Sequence, residues 1–209
     1  MTSIKIWLER SPTLHVWGAG TLFEDRPIIW PQKLKVHAVR GSLTAHRLLG
    51  NAPNIPLGDP GILASLLVDA PVPKRWEVAI VPNHIDTNYL SKLDLPKNWQ
   101  LIDPEQPVLD VVKQIGAADL VVSSSLHGLI VSDAFRLPCV WAQSHTQLLG
   151  TEGHKFNDYE TSRKNAFNRP ISYDALLKLP RAKLETIATT AFRDIEKWQK
   201  DLIEVFPFR

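Results

Sequence analysis

The sequence predicts an α/β protein built on a doubly wound, mainly parallel Rossmann-like sheet. Three observations lead there. Short apolar runs of strand length alternate with stretches of helical spacing along most of the 209 residues. One stretch, Ala117–Trp141 (AADLVVSSSLHGLIVSDAFRLPCVW), holds a complete β-turn-α-β unit. A composition 44% hydrophobic and 22% charged suits one compact globular domain, or one plus a helical appendage.

Taken in order, Ile4–Leu8 is a first short strand or helix, and Leu14–Trp17 is a strand ending in the turn Gly18-Ala19-Gly20. A lone G-x-G without a third glycine opening a helix is no dinucleotide fingerprint. Asp25–Lys33, with Pro27 and Pro31, is a loop. Lys35–Val39 is a strand, and Ser42 is the expected N-cap of a helix Leu43–Leu49 that Gly50 ends. Asp59 is placed to cap a helix over Ile62–Val68, and the proline-rich Ala70–Arg75 is a loop. Glu77–Val81 is a strand closed by Pro82-Asn83-His84. Trp99–Ile102 is another, and Pro107–Ile115 is a helix with proline at its first position, stopped by Gly116. Ala142–Gly153 is a loop, and Lys183–Val205 is one amphipathic closing helix with Leu184, Ile187, Ala191, Ile195, Trp198 and Ile203 on its apolar stripe.

The chemistry concentrates where Asp119–Val122, a buried strand, meets Ser123, Ser124 and Ser125. Helical spacing starts at Leu126 and puts His127 and Gly128 in the first turn, so hydroxyls, unpaired backbone N–H groups and an imidazole gather at a helix N-terminus. Such a terminus attracts anions, phosphate above all, and in a parallel sheet it lies at the carboxyl edge, where ligands bind. On the residues alone, a serine-capped helix with a half-buried histidine is the slightly better reading, since serine caps are common.

Several function classes are disfavoured. A formal net charge of +2, from 24 basic and 22 acidic side chains, gives no basic face for nucleic acid. No run of about 18 apolar residues predicts a membrane span, and MTSIKIWLERS has no signal-peptide h-region. The single cysteine, Cys139, falls in a predicted buried strand, as suits a reducing cytoplasm. His, Cys and carboxylates do not cluster at metal-ligand spacing, so no metal is expected.

The stretch around His127 resembles the signature of the polysaccharide pyruvyl transferase family: a strand, then S-S/R-x-H-G/A-x-I-x-A/S-D-A, then Pro before the next strand. Further pieces follow in family order: Val16–Gly20 as V-x-G-x-G, Val39–Gly50 as V-R-G-x-x-[ST]-x-x-x-L-G, the Gly58-Asp59-Pro60 turn, and Ile102-Asp103-Pro104 before Pro107-Val108. The resemblance spans most of Leu14–Ser162. It implies a GT-B-like enzyme, with two Rossmann-like domains facing across a cleft, that moves pyruvate from phosphoenolpyruvate to two sugar hydroxyls as a cyclic ketal. His127 is then the catalytic acid–base. Arg40, Ser124, Ser125, Leu126, Gly128 and Lys155 hold the donor, with Arg40 opposite the serine turn, and Asn83 and His84 are candidate substrate contacts.

Phosphoenolpyruvate is co-substrate and no cofactor is implied. The acceptor is a sugar or lipid-linked oligosaccharide, compatible with peripheral membrane association and a homo-oligomer. Expected divisions are 1–70 (a remnant of the N-terminal half with linking helices), 71–170 (the donor-binding Rossmann-like domain) and 171–209 (helices packing back). Two departures stand out: no N-x-G-D-type motif precedes Leu14, and Ser125 stands where some members have Arg. The competing readings are a GT-B glycosyltransferase using a sugar nucleotide and a non-catalytic saccharide- or partner-binding remnant.

Overall fold

The computed structural model describes residues 13–24, 33–50, 54–145 and 153–208. The element expected at Ile4–Leu8, most of the Asp25–Lys33 loop and residues 146–152 lie outside the described residues. Two parallel sheets organise the chain. The first pairs β1 (Leu14–Ala19) with β2 (Leu34–Val39). The second has five strands in the order β4-β3-β5-β6-β7, all parallel: β3 (Trp76–Val81), β4 (Trp99–Leu101), β5 (Ala118–Ser123), β6 (Cys139–Gln143) and the short β7 (Ile171–Ser172).

That order makes the sheet doubly wound. The chain leaves β3 for β4 on one side, then returns past β3 to add β5, β6 and β7 on the other. Helices therefore cover both faces, and the central strands read as apolar runs because both sides are buried. Alternate residues separate accordingly. Val78, Ile80, Leu120, Val122 and Val140 face a core with Leu90, Tyr173, Leu176 and Leu184. Ala79, Val81 and Val121 face the larger core with Ile115, Leu129, Ile130 and Trp198.

The helices are α1 (Ser42–Leu49), α2 (Thr87–Leu90), α3 (Val108–Gly116), α4 (Leu126–Ala134), α5 (His154–Arg163), α6 (Tyr173–Leu176), α7 (Arg181–Ile187) and α8 (Ile195–Glu204), with a 3₁₀ helix at Pro60–Leu67. Asp59 caps the 3₁₀ helix as expected, accepting from Gly61 N–H at 2.9 Å. Two caps differ from expectation. Gly41, not Ser42, is the N-cap of α1, because the first helical bond runs from Ala45 N–H to Gly41 O at 3.0 Å; Ser42 N–H donates to Thr161 Oγ1 at 2.7 Å. Pro107 is the N-cap of α3 rather than its first residue, so the helix begins at Val108, one residue later than expected. The single closing helix is two. Thr189 exchanges both backbone hydrogen bonds with Cys139, at 2.9 Å each, and so extends the chain between α7 and α8. Asp194 then restarts the helix by accepting from Lys197 N–H.

A two-stranded sheet is marginal alone, and α8 supports this one. Trp17 Nε1 donates to Leu202 O at 2.8 Å, and Trp198 Nε1 donates to Leu57 O at 2.7 Å. A buried ion pair joins α4 to α5. Arg163 grips Asp133 through Nε (2.8 Å) and Nη2 (3.1 Å), while Tyr159 Oη and Ala191 N–H donate to the same carboxylate. Burial pushes the Asp133 carboxyl up, and the Arg163 guanidinium opposes that rise. Asp133 is the aspartate of the His127 signature, and its place in the fold is this clamp. Replacing Asp133 by Ala strands a guanidinium with no exposed surface. The expected cost is about 3–5 kcal/mol, read as a lowered urea midpoint; an unchanged midpoint contradicts the clamp.

Candidate functional site

In a doubly wound sheet, ligands bind beyond the carboxyl ends of the strands where the winding reverses. Here that point lies between β3 and β5. The segment leaving β3 carries Pro82, Asn83 and His84; the one leaving β5 carries Ser124 and Ser125. A pocket of about 210 Å³ opens there, lined by Asn83 and Ser124, by Trp141, Gln143 and Ser144 from β6 and its exit, and by Gly153, Lys155 and Phe156 at the start of α5. Trp141 stacks on Phe156 with 4.2 Å between ring centres, forming an apolar wall. The Lys155 ammonium lies 5.2 Å from the Phe156 ring centre.

Asp86, without exposed surface, holds the three strand exits together. It accepts from Ser124 Oγ (2.8 Å), Ser144 Oγ (2.9 Å) and His145 N–H (3.0 Å). Ser124 Oγ also accepts from Asn83 N–H (2.9 Å) and from Tyr173 Oη (2.9 Å), while Ser124 N–H donates back to Tyr173 Oη (3.1 Å). The Ser124 hydroxyl thus has its donor and both lone pairs engaged. It shapes the pocket floor. Burial raises the Tyr173 hydroxyl pKa, with the Ser124 contacts pulling the other way, so this phenol stays a neutral donor.

The serine turn divides its work. Ser123 Oγ lies 2.6 Å from Val81 O and accepts from Ser125 N–H at 3.0 Å. Ser125 is the N-cap of α4, yet its side chain makes no capping bond, and the first intrahelical bond runs from Leu129 N–H to Ser125 O. The N–H groups of Leu126, His127 and Gly128 therefore have neither an intrahelical partner nor a cap. Leu126 is buried, and His127 is exposed on that first turn. Gly128 is required by closeness: a Cβ there would stand 2.2 Å from Ser123 Oγ and 2.9 Å from Val81 Cγ1. His84, just beyond Asn83, is exposed.

Arg40 is committed elsewhere. Its Nε donates to Asp158 at 2.9 Å and its Nη2 to Thr21 O at 2.7 Å, while Thr44 N–H and Oγ1 fill the rest of the Asp158 carboxylate. Glycines on both sides make room: a Cβ on Gly20 would lie 2.1 Å from Arg40 Cζ, and one on Gly41 1.8 Å from Asp158 O. The V-x-G-x-G and V-R-G segments thus seat the first sheet on α5. Of the residues singled out from sequence, Asn83, Ser124 and Lys155 line the pocket; Arg40, His84, Ser125, Leu126, His127 and Gly128 are not among its lining residues.

Sequence reasoning missed Asp86, Trp141, Gln143, Ser144 and Phe156. An aspartate a few residues past a strand reads as an ordinary turn residue, and nothing local marks it as buried. Among the described residues no cluster of His, Cys and carboxylates could hold a metal ion, and no helix is long and apolar enough to cross a membrane. Replacing Asp86 by Asn keeps the shape but turns an NH2 group toward donors. The expected loss is about 1–3 kcal/mol, or a melting temperature lower by roughly 2–4 °C per kcal/mol in a chain of this size. Unchanged melting contradicts the role given to Asp86.

The polysaccharide pyruvyl transferase family model matches residues 14–145, the segment holding both V-R-G and the serine turn. The chain is 31% identical over 158 residues to the succinoglycan biosynthesis protein ExoV of Rhizobium meliloti (strain 1021), covering 68% of this chain and 44% of that protein. It is 30% identical over 155 residues to an uncharacterized protein of Acanthamoeba polyphaga mimivirus, covering 69% and 53%. The chain therefore spans about half the length of the curated relatives it matches. No solved structure matches it. A switch-point pocket under the serine turn, and a family match running through that turn, make this chain a member of the polysaccharide pyruvyl transferase family.

Proposed function

We propose that the chain carries the donor site of an enzyme that transfers pyruvate from phosphoenolpyruvate to a sugar, as a ketal, during polysaccharide synthesis. One observation carries the reading: the pocket at the winding reversal combines a cation, Lys155, with amides from Asn83 and Gln143. It sits at the strand exit from which α4 begins with three uncapped N–H groups. A small phosphorylated acid needs those groups: donors for phosphate at a helix N-terminus, one ammonium, and an apolar wall, here Trp141 and Phe156.

In this reading one sugar hydroxyl bonds to the phosphate-bearing carbon of phosphoenolpyruvate, and the proton it gives up passes to the methylene carbon, which becomes a methyl group. The second hydroxyl then displaces phosphate at the phosphate-bearing carbon, closing the ketal, and its proton leaves with the phosphate. His127, exposed on the first turn of α4, supplies the acid–base function. Lys155 stabilises phosphate as it departs, aided by the positive end of the α4 dipole at the neighbouring strand exit. Arg40 acts indirectly, by holding α5 and thus Lys155 in place. A pocket of about 210 Å³ suits a three-carbon acid better than a nucleoside diphosphate sugar, since drug-sized ligands take ~300–1,000 Å³.

Thermal shift tests the reading. Phosphoenolpyruvate at about 100 times its Kd should stabilise by about 2.7 kcal/mol, UDP-glucose should not, and Lys155→Gln should weaken the donor at least tenfold. His127→Ala should retain donor binding and the fold but release no phosphate when acceptor is supplied. Stabilisation by UDP-glucose alone, or normal turnover by His127→Ala, contradicts it.

A further inference from the structure

A second pocket, of about 250 Å³, adjoins the first along the carboxyl edge of the sheet and shares Gln143 and Ser144 with it. The imidazole of His145 lies flat on the Tyr89 ring, 4.1 Å between centres and 6° between planes. The Tyr89 hydroxyl donates to Asp174 Oδ1, and that bond raises the phenol's pKa. Asp86 fixes the same stack from below through His145 N–H. An exposed histidine is thus held in one orientation by a tyrosine, a carboxylate and its own backbone. Among the described residues, Asp174 Oδ2, the Gln143 amide and the imidazole nitrogens of His145 have no hydrogen-bond partner.

We propose that this second pocket is the acceptor subsite and that it takes a neutral pyranoside. The proposal rests on the donor reading of the first pocket and adds to it the place and chemical class of the partner substrate. A pyranose ring presents one face of C–H groups and an equator of hydroxyls. The C–H face matches a flat π surface, here the imidazole stacked on Tyr89. The hydroxyls match a free carboxylate oxygen and a free amide, Asp174 Oδ2 and Gln143. Among the described lining residues the one fixed formal charge, Asp174, is negative, so a second phosphate is disfavoured and a hydroxyl donor is favoured. Gln143, common to both pockets, lies where donor and acceptor meet, as direct transfer requires. The rigid stack also lowers the ordering cost of binding.

Saturation-transfer NMR on the whole chain, with methyl β-D-glucopyranoside and methyl β-D-galactopyranoside as probes, tests this alongside the phosphoenolpyruvate thermal shift. The wild-type chain should give a glycoside signal. Asp174→Asn, which keeps the shape, and Tyr89→Ala, which removes the platform, should each weaken it at least tenfold and leave the phosphoenolpyruvate shift intact. A glycoside signal that disappears in both variants supports the subsite even if phosphoenolpyruvate never stabilises the chain; in that case only the donor reading fails. No wild-type signal, a signal indifferent to both variants, or joint loss of glycoside and phosphoenolpyruvate binding overturns the proposal.

Discussion

One buried carboxylate organises the functional edge of this molecule. Asp86 has no exposed surface, and its two oxygens take three donors from the exits of two other strands. A buried carboxylate left without donors is strongly disfavoured, so the exits of β3, β5 and β6 are tied to one arrangement. Everything at the edge inherits that arrangement. Ser124 frames the first pocket, Ser144 belongs to both, and His145 forms the wall of the second. The strands themselves could tolerate many loop conformations; the carboxylate selects one.

Helix α5 plays the complementary part. It carries Asp158, which binds Arg40, and Arg163, which binds Asp133. Between those contacts and the helix start lie Lys155 and Phe156. The first sheet, the serine-turn helix and the pocket cation are therefore mechanically linked. Under the proposed donor reading, Arg40 acts on the pocket indirectly, because loosening the Arg40–Asp158 pair loosens the helix that carries Lys155. The glycines at positions 20 and 41 belong to the same device, since each allows a backbone to approach the Arg40–Asp158 pair.

Much of the fold was legible in the sequence. The apolar runs at β3 and β5 and the turn at Ser123–Ser125 mark a parallel sheet, and the alternation of strands with helices marks its double winding. Asn83, Ser124 and Lys155, singled out because each follows a strand end or opens a helix, do line the pocket at the strand exits. Local signals stopped short elsewhere. The break between α7 and α8 depends on Thr189 pairing with Cys139, fifty positions away, and no periodicity within the segment reveals it. Arg40 reads as an anion grip until Asp158 is seen beside it. Asp86 and the Tyr89–His145 stack depend on contacts between distant loops, which a linear pattern does not encode.

The central claim is that the pocket framed by Asn83, Ser124 and Lys155 is where a small phosphorylated acid binds. A crystal structure of the protein grown with phosphoenolpyruvate tests it most directly. The account predicts density for the donor in that pocket, beside Ser124 and Lys155, with the Arg40–Asp158 pair undisturbed. Density for the donor on the Arg40 guanidinium, with Asp158 displaced and the pocket empty, would contradict it.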